Sequence, residues 1–102
     1  MKDGVEFSLH VTNVENHAVE LRFPDGQTHD LVVLDSAGRE VWRWSTGRLF
    51  TQSIRNKLLD ANESVTYEEH WDGHAHPGTY TAVATLRSSN FPVEDRVTFT
   101  LP

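Results

Sequence analysis

Apolar and polar residues alternate with a period of two along much of this chain, in short segments that end at turn-forming residues. The clearest segment interleaves four apolar with four polar residues: Val5, Phe7, Leu9 and Val11 with Glu6, Ser8, His10 and Thr12. Successive side chains of a β-strand point to opposite faces, so this pattern predicts a strand with one buried and one solvated face. A helix needs a period near 3.6, and the chain is therefore restricted to a mainly β fold.

The stretch from residue 29 to residue 52 predicts a β-hairpin followed by a loop. Residues 31–34 are apolar, residues 35–38 (DSAG) have turn chemistry, and residues 41–44 (VWRW) resume strand periodicity. Asp35, at the start of the turn, can accept hydrogen bonds from the backbone amides of the turn. Gly38 can take the left-handed conformation that closes a bulged hairpin loop.

Trp42 and Trp44 form an unusual aromatic pair in the second strand of this hairpin. Because they are two residues apart, their side chains face the same side of the strand, and Arg43 faces the other. An exposed aromatic surface for a partner is one interpretation. Paired aromatics at strand spacing more often pack one face of a sandwich, and we favour that interpretation.

Similar alternation predicts further strands near residues 19–23, 65–71, 80–86 and 97–101. Residues 49–59 are ambiguous, because Phe50, Ile54 and Leu58 lie four apart and also satisfy a helical stripe. We favour an extended conformation there. Seven or eight short strands without a convincing helix predict an all-β fold, an immunoglobulin-like antiparallel β-sandwich, with residues 1–102 as a single domain.

Composition excludes several classes of function. The 102 residues include 15 acidic and 9 basic side chains, and this net charge of −6, with no basic cluster in the sequence, opposes binding to nucleic acid. No apolar run approaches the ~20 residues of a membrane span. The absence of cysteine removes disulfides and thiolate chemistry and agrees with a cytoplasmic location. No hydrolase elbow, zinc-protease helix or phosphate-binding loop occurs, so we expect neither enzyme activity nor a cofactor.

Several motifs occur in a distinctive order. They are V-x-D at residues 33–35, aromatics at 42 and 44, F-T-Q at 50–52, tryptophan at 71 and P-G-T-Y at 77–80. Over about residues 26–86 the chain resembles the intracellular proteinase inhibitor family known as BsuPI. The resemblance implies an immunoglobulin-like sandwich inside the cell that inhibits a subtilisin-like serine protease. The alternative is a generic immunoglobulin-like interaction module without inhibitor activity, because a fold alone does not assign a function.

The candidate protein-binding site is the loop after the aromatic strand, which consists of Ser45, Thr46, Gly47, Arg48, Leu49 and Phe50. An inhibitory loop lies extended in a protease cleft and places one side chain in the specificity pocket. Leu49 or Phe50 would suit a subtilisin-like pocket, and Arg48 a trypsin-like one. The competing interpretation, which we favour for the two apolar residues, is that they return the chain to the core. Arg48 is then the expected exposed contact.

Three histidines near residues 70–76 are the only metal candidates that we single out. Imidazole nitrogens suit zinc, nickel or copper, and His74 and His76 would share a face if the segment were extended. With His70 they would make a three-ligand set. The spacing matches no known signature, and Pro77 and Gly78 predict a turn. We favour a solvated loop without a native metal.

Overall fold

The computed structural model describes residues 4–102, which form eight β-strands and no helix. The strands are β1 (Val5–Thr12), β2 (Val19–Phe23), β3 (His29–Leu34), β4 (Glu40–Arg43), β5 (Arg55–Leu59), β6 (Ser64–Trp71), β7 (Gly78–Leu86) and β8 (Val93–Leu101). Residues 1–3 of the predicted single domain lie outside the described residues. Among residues 4–102, no helix has the length and apolar character required for crossing a bilayer. The all-β prediction is confirmed, and β5 lies in the stretch for which a helix was the alternative.

The strands form antiparallel sheets in two layers. Strands β4-β3-β7-β8 make one sheet, in the order of the C′, C, F and G strands of immunoglobulin domains. The ladders β1-β6 and β2-β5 make the other layer. The second ladder continues the first, because Thr12 pairs with Ser64 and Val19 then pairs with Leu59. The Tyr80 hydroxyl near the start of β7 donates to the His76 carbonyl, in the manner of the tyrosine corner of immunoglobulin domains.

Two apolar clusters fill the space between the layers. The first contains Phe7, Leu31, Val33, Trp44, Trp71, Tyr80 and Ala82. The second contains Leu9, Leu21, Phe23, Leu59 and Leu86. Phe7 shows the contact across the layers, since its ring stacks on Trp42 at 6.2 Å between centroids and meets Phe99 edge-on at 5.8 Å. Packing, rather than exposure, is thus the role of the aromatic pair, as predicted.

The hairpin turn between β3 and β4 has the predicted chemistry. The Asp35 side chain accepts hydrogen bonds from the amides of Arg39 at 2.8 Å and Ala37 at 2.9 Å. The hydrogen bond from the Arg39 amide is the main reason that the pKa of Asp35 lies below its ordinary value. Gly38 has a φ of 81° and takes the left-handed position. This turn directs β4, and therefore the loop that follows it, along the edge of β3.

Candidate functional site

Residues 45–50, here called the 45–50 loop, leave β4 at the edge of the four-stranded sheet and lead toward β5. Leu49 is 99% exposed, the highest value among the large apolar side chains of the described residues. The expectation that it returns to the core is therefore wrong. Phe50 does turn inward, because it is half-buried with its ring centroid 5.8 Å from that of Trp44. The loop therefore holds a fully exposed aliphatic side chain next to a half-buried aromatic one.

Asp30, a buried residue of β3, holds the start of this loop. Its carboxylate accepts hydrogen bonds from the Ser45 hydroxyl at 2.8 Å and the Ser45 amide at 3.2 Å. Arg43 Nη1 donates to the same carboxylate at 3.1 Å, and the Leu31 amide does so at 2.8 Å. Hydrogen bonds to Glu40 and then to Asp30 raise the pKa of Arg43. Four donors compensate the burial of one carboxylate, which makes Asp30 a rigid attachment point.

Arg48 braces the middle of the loop. Its guanidinium carbon lies 4.4 Å from the centroid of the Trp44 ring, and its Nε donates to the Trp44 carbonyl at 2.8 Å. The Arg48 amide also donates to the Ser45 carbonyl at 3.1 Å, across Gly47 with its φ of 80°. The side chain lies at the surface but is folded back on Trp44. Arg48 thus shapes the loop, and Leu49 is the side chain that projects from it.

The end of the loop is attached to the connection between β2 and β3. The Gly26 amide donates to the Thr51 carbonyl at 2.8 Å. The approach is so close that a Cβ on Gly26 would lie 2.4 Å from Thr51 Oγ1. Any larger residue at this position would therefore displace Thr51. With Asp30 at one end and Gly26 at the other, both ends of the 45–50 loop are fixed to the sandwich.

A stack of rings supports the loop from inside the molecule. His29 lies between Trp44 and Tyr67, with 4.5 Å between centroids on each side. Its Nε2 is 2.6 Å from Glu69 Oε2. Burial raises the pKa of Tyr67. Sequence reasoning missed His29, although its shared parity with Leu31 placed it on the inward face of β3.

The three candidate metal ligands do not come together. His70 Nδ1 lies 2.8 Å from Glu6 Oε2, and His74 Nδ1 lies 3.4 Å from Asp72 Oδ2. In the part of the chain that the structure describes, no group of three or more His, Cys, Asp or Glu side chains is placed to hold a metal ion. The geometry gives a site made of His70, His74 and His76 no support.

The structure is that of a small antiparallel β-sandwich, and its 45–50 loop carries an exposed leucine. The family model of BsuPI, described as intracellular proteinase inhibitor, matches residues 1–91. The chain belongs to this family, as the resemblance over residues 26–86 predicted. No curated protein matches the chain. The family description indicates an inhibitor of proteinases inside the cell, and its partner is accordingly a protease.

Proposed function

We propose that this protein inhibits a subtilisin-like serine protease in the cytoplasm and that the 45–50 loop enters the cleft of the protease. Leu49 would occupy the main specificity pocket. The observation that carries this proposal is the 99% exposure of Leu49 on a loop fixed at both ends. Family membership supports the inhibitor activity. The family's intracellular description and the absence of cysteine support a reducing compartment.

Leucine is the right anchor for an apolar pocket. Burial of an exposed leucine side chain contributes about 1.5–3 kcal/mol, and this one has almost its whole surface left to bury. Arg48 is the less suitable anchor, because a trypsin-like pocket would have to remove its guanidinium from Trp44. That step would cost about 0.5–1 kcal/mol of cation–π attraction and the hydrogen bond to the Trp44 carbonyl. The geometry therefore favours a subtilisin-like target.

Rigidity is the second requirement for an inhibitory loop. A loop that is already ordered loses less conformational entropy when it binds. Here Ser45 is held by Asp30, Arg48 by Trp44, and Thr51 by Gly26. Residues 48–50 belong to no strand, so strand pairing within residues 4–102 leaves their backbone available to pair with an edge of a protease cleft. These contacts support the rigidity that an inhibitory loop needs.

A titration of the purified protein against subtilisin-like and trypsin-like proteases tests this proposal. We expect turnover of a peptide substrate to fall in proportion to added protein for at least one subtilisin-like enzyme, with trypsin-like enzymes unaffected. Full activity of every subtilisin-like enzyme at a large molar excess would contradict the proposal. Binding without loss of turnover would favour the generic interaction module instead.

A further inference from the structure

The charges of this chain are distributed unevenly around the loop. The chain as a whole has a net charge of −6, yet residues 41–59 contain four basic residues and no acidic residue. Three of the four lie on the 45–50 loop and on β5, namely Arg48, Arg55 and Lys57. These three are here called the basic patch. They are spread over ten positions, which is why the sequence alone shows no basic cluster.

The basic patch also differs from the other basic side chains in its partners. Five arginines elsewhere in the described residues lie within 4.0 Å of a carboxylate: Arg22, Arg39, Arg43, Arg87 and Arg96. Among the residues that the structure describes, no carboxylate lies within that distance of Arg48, Arg55 or Lys57. Within residues 4–102, no ion pair neutralises their charges.

Strand pairing locates two of these cations on the ladder formed by β2 and β5. Arg55 pairs with Phe23 and Lys57 with Leu21, whose side chains are buried, yet both basic residues are exposed. Within residues 4–102, β5 pairs with β2 alone, so its other edge is open. Residues 50–54 connect Leu49 to the start of β5, and Ile54 in this connection is 74% exposed. The exposed apolar side chains and the basic patch therefore lie on one continuous segment.

We propose that the basic patch contacts acidic residues at the rim of the protease cleft while Leu49 occupies the pocket. The target is thus a protease with negative charge around its active-site entrance. This inference rests on the proposed function, because Leu49 determines which part of the protease faces the patch. Because the chain has a net charge of −6, most of its surface repels an acidic partner, whereas the basic patch attracts it. The protein would therefore approach the protease with the 45–50 loop facing the cleft.

The competing explanation is protection of a sheet edge. Charged side chains on an edge strand prevent two sheets from pairing with each other. Under that explanation, removing the charges of Arg55 and Lys57 causes self-association and leaves protease binding unchanged. Under our proposal, the charges act on the rate of association with the protease, and this effect weakens as salt screens them.

Charge reversal separates the two explanations. The variant Arg55→Glu with Lys57→Glu is compared with Arg39→Glu and Arg96→Glu, which changes net charge equally at exposed sites on other parts of the chain. Association and dissociation rates are measured with a subtilisin-like protease that the wild type inhibits, at low and high salt. We expect the patch variant to associate at least ~10-fold more slowly at low salt. The difference should shrink at high salt, and dissociation should change little.

Equal slowing in the two double variants would overturn the inference, because net charge alone would explain it. Unchanged association, with self-association of the variant Arg55→Gln with Lys57→Gln in light scattering, would assign the patch to edge protection. Thermal unfolding of each variant checks that the fold survives, and the glutamine variant serves if the glutamates prevent folding. If the wild type inhibits no protease, the proposed function itself fails, and this inference fails with it. Slow association of a variant that still inhibits fully at saturating concentration supports both.

Discussion

Replacement of Leu49 by aspartate is expected to weaken inhibition by at least about 30-fold, because loss of a buried anchor costs at least ~2 kcal/mol at an interface. The new carboxylate would also have to leave water for an apolar pocket. The free energy of unfolding should change by no more than about 0.5 kcal/mol, as is usual for an exposed site. The inhibition constant and the urea unfolding curve of the same preparation measure both effects.

Val14→Asp is the matched control for this variant. Val14 is 80% exposed in the connection between β1 and β2, so the substitution has the same chemistry at another exposed apolar site. We expect its inhibition constant to equal that of the wild type. Equal potency of the wild type and Leu49→Asp would show that the anchor lies elsewhere on the molecule.

Replacement of Asp30 by alanine is expected to lower the free energy of unfolding by about 2–3 kcal/mol, because several donors lose a charged acceptor. Asp30 is only 7% exposed, so water cannot fully replace the carboxylate. Inhibition should weaken as well, since Ser45 would no longer be held and the loop would lose more entropy on binding. Chemical unfolding and the inhibition constant, measured on folded protein, report the two effects separately.

Glu40→Ala provides the comparison for Asp30→Ala, since both residues pair with Arg43. The Glu40 side chain is 46% exposed, and Arg43 Nη2 donates to it at 2.9 Å. Removal of such a surface pair should cost less than about 1 kcal/mol and should leave inhibition unchanged. Similar stability losses in the two variants, or full potency of Asp30→Ala, would mean that Asp30 does not brace the loop.

Strand assignments were predictable because their signal is local. Alternation over Val5–Thr12 identified both the strand and its buried face, which Phe7 and Leu9 occupy. The Asp35 to Gly38 turn was predictable for a similar reason, since its hydrogen bonds join residues at most four apart. Burial of apolar surface dominates folding energetics, and the side of a strand that is buried can therefore be predicted from side-chain type.

The braces of the candidate loop were not predictable, because they join distant parts of the chain. His29 meets Glu69, 40 positions away, and Asp30 meets Ser45, 15 positions away. A polar residue such as His29 or Asp30 can be buried when a hydrogen-bond partner is present, and the sequence does not identify that partner. The prediction that Leu49 is buried failed for the opposite reason. Hydrophobicity predicts burial for any leucine, and it cannot distinguish a core residue from an anchor that is buried only in a complex.

Hydrogen exchange in the complex is the most direct test of the 45–50 loop as the inhibitory site. Backbone exchange is compared between the free protein and its complex with a subtilisin-like protease whose catalytic serine has been replaced. We predict slower exchange across residues 45–54 and unchanged exchange in the connections at residues 13–18 and 72–77. Protection confined to other parts of the sandwich, with residues 45–50 exchanging as in the free protein, would contradict the assignment.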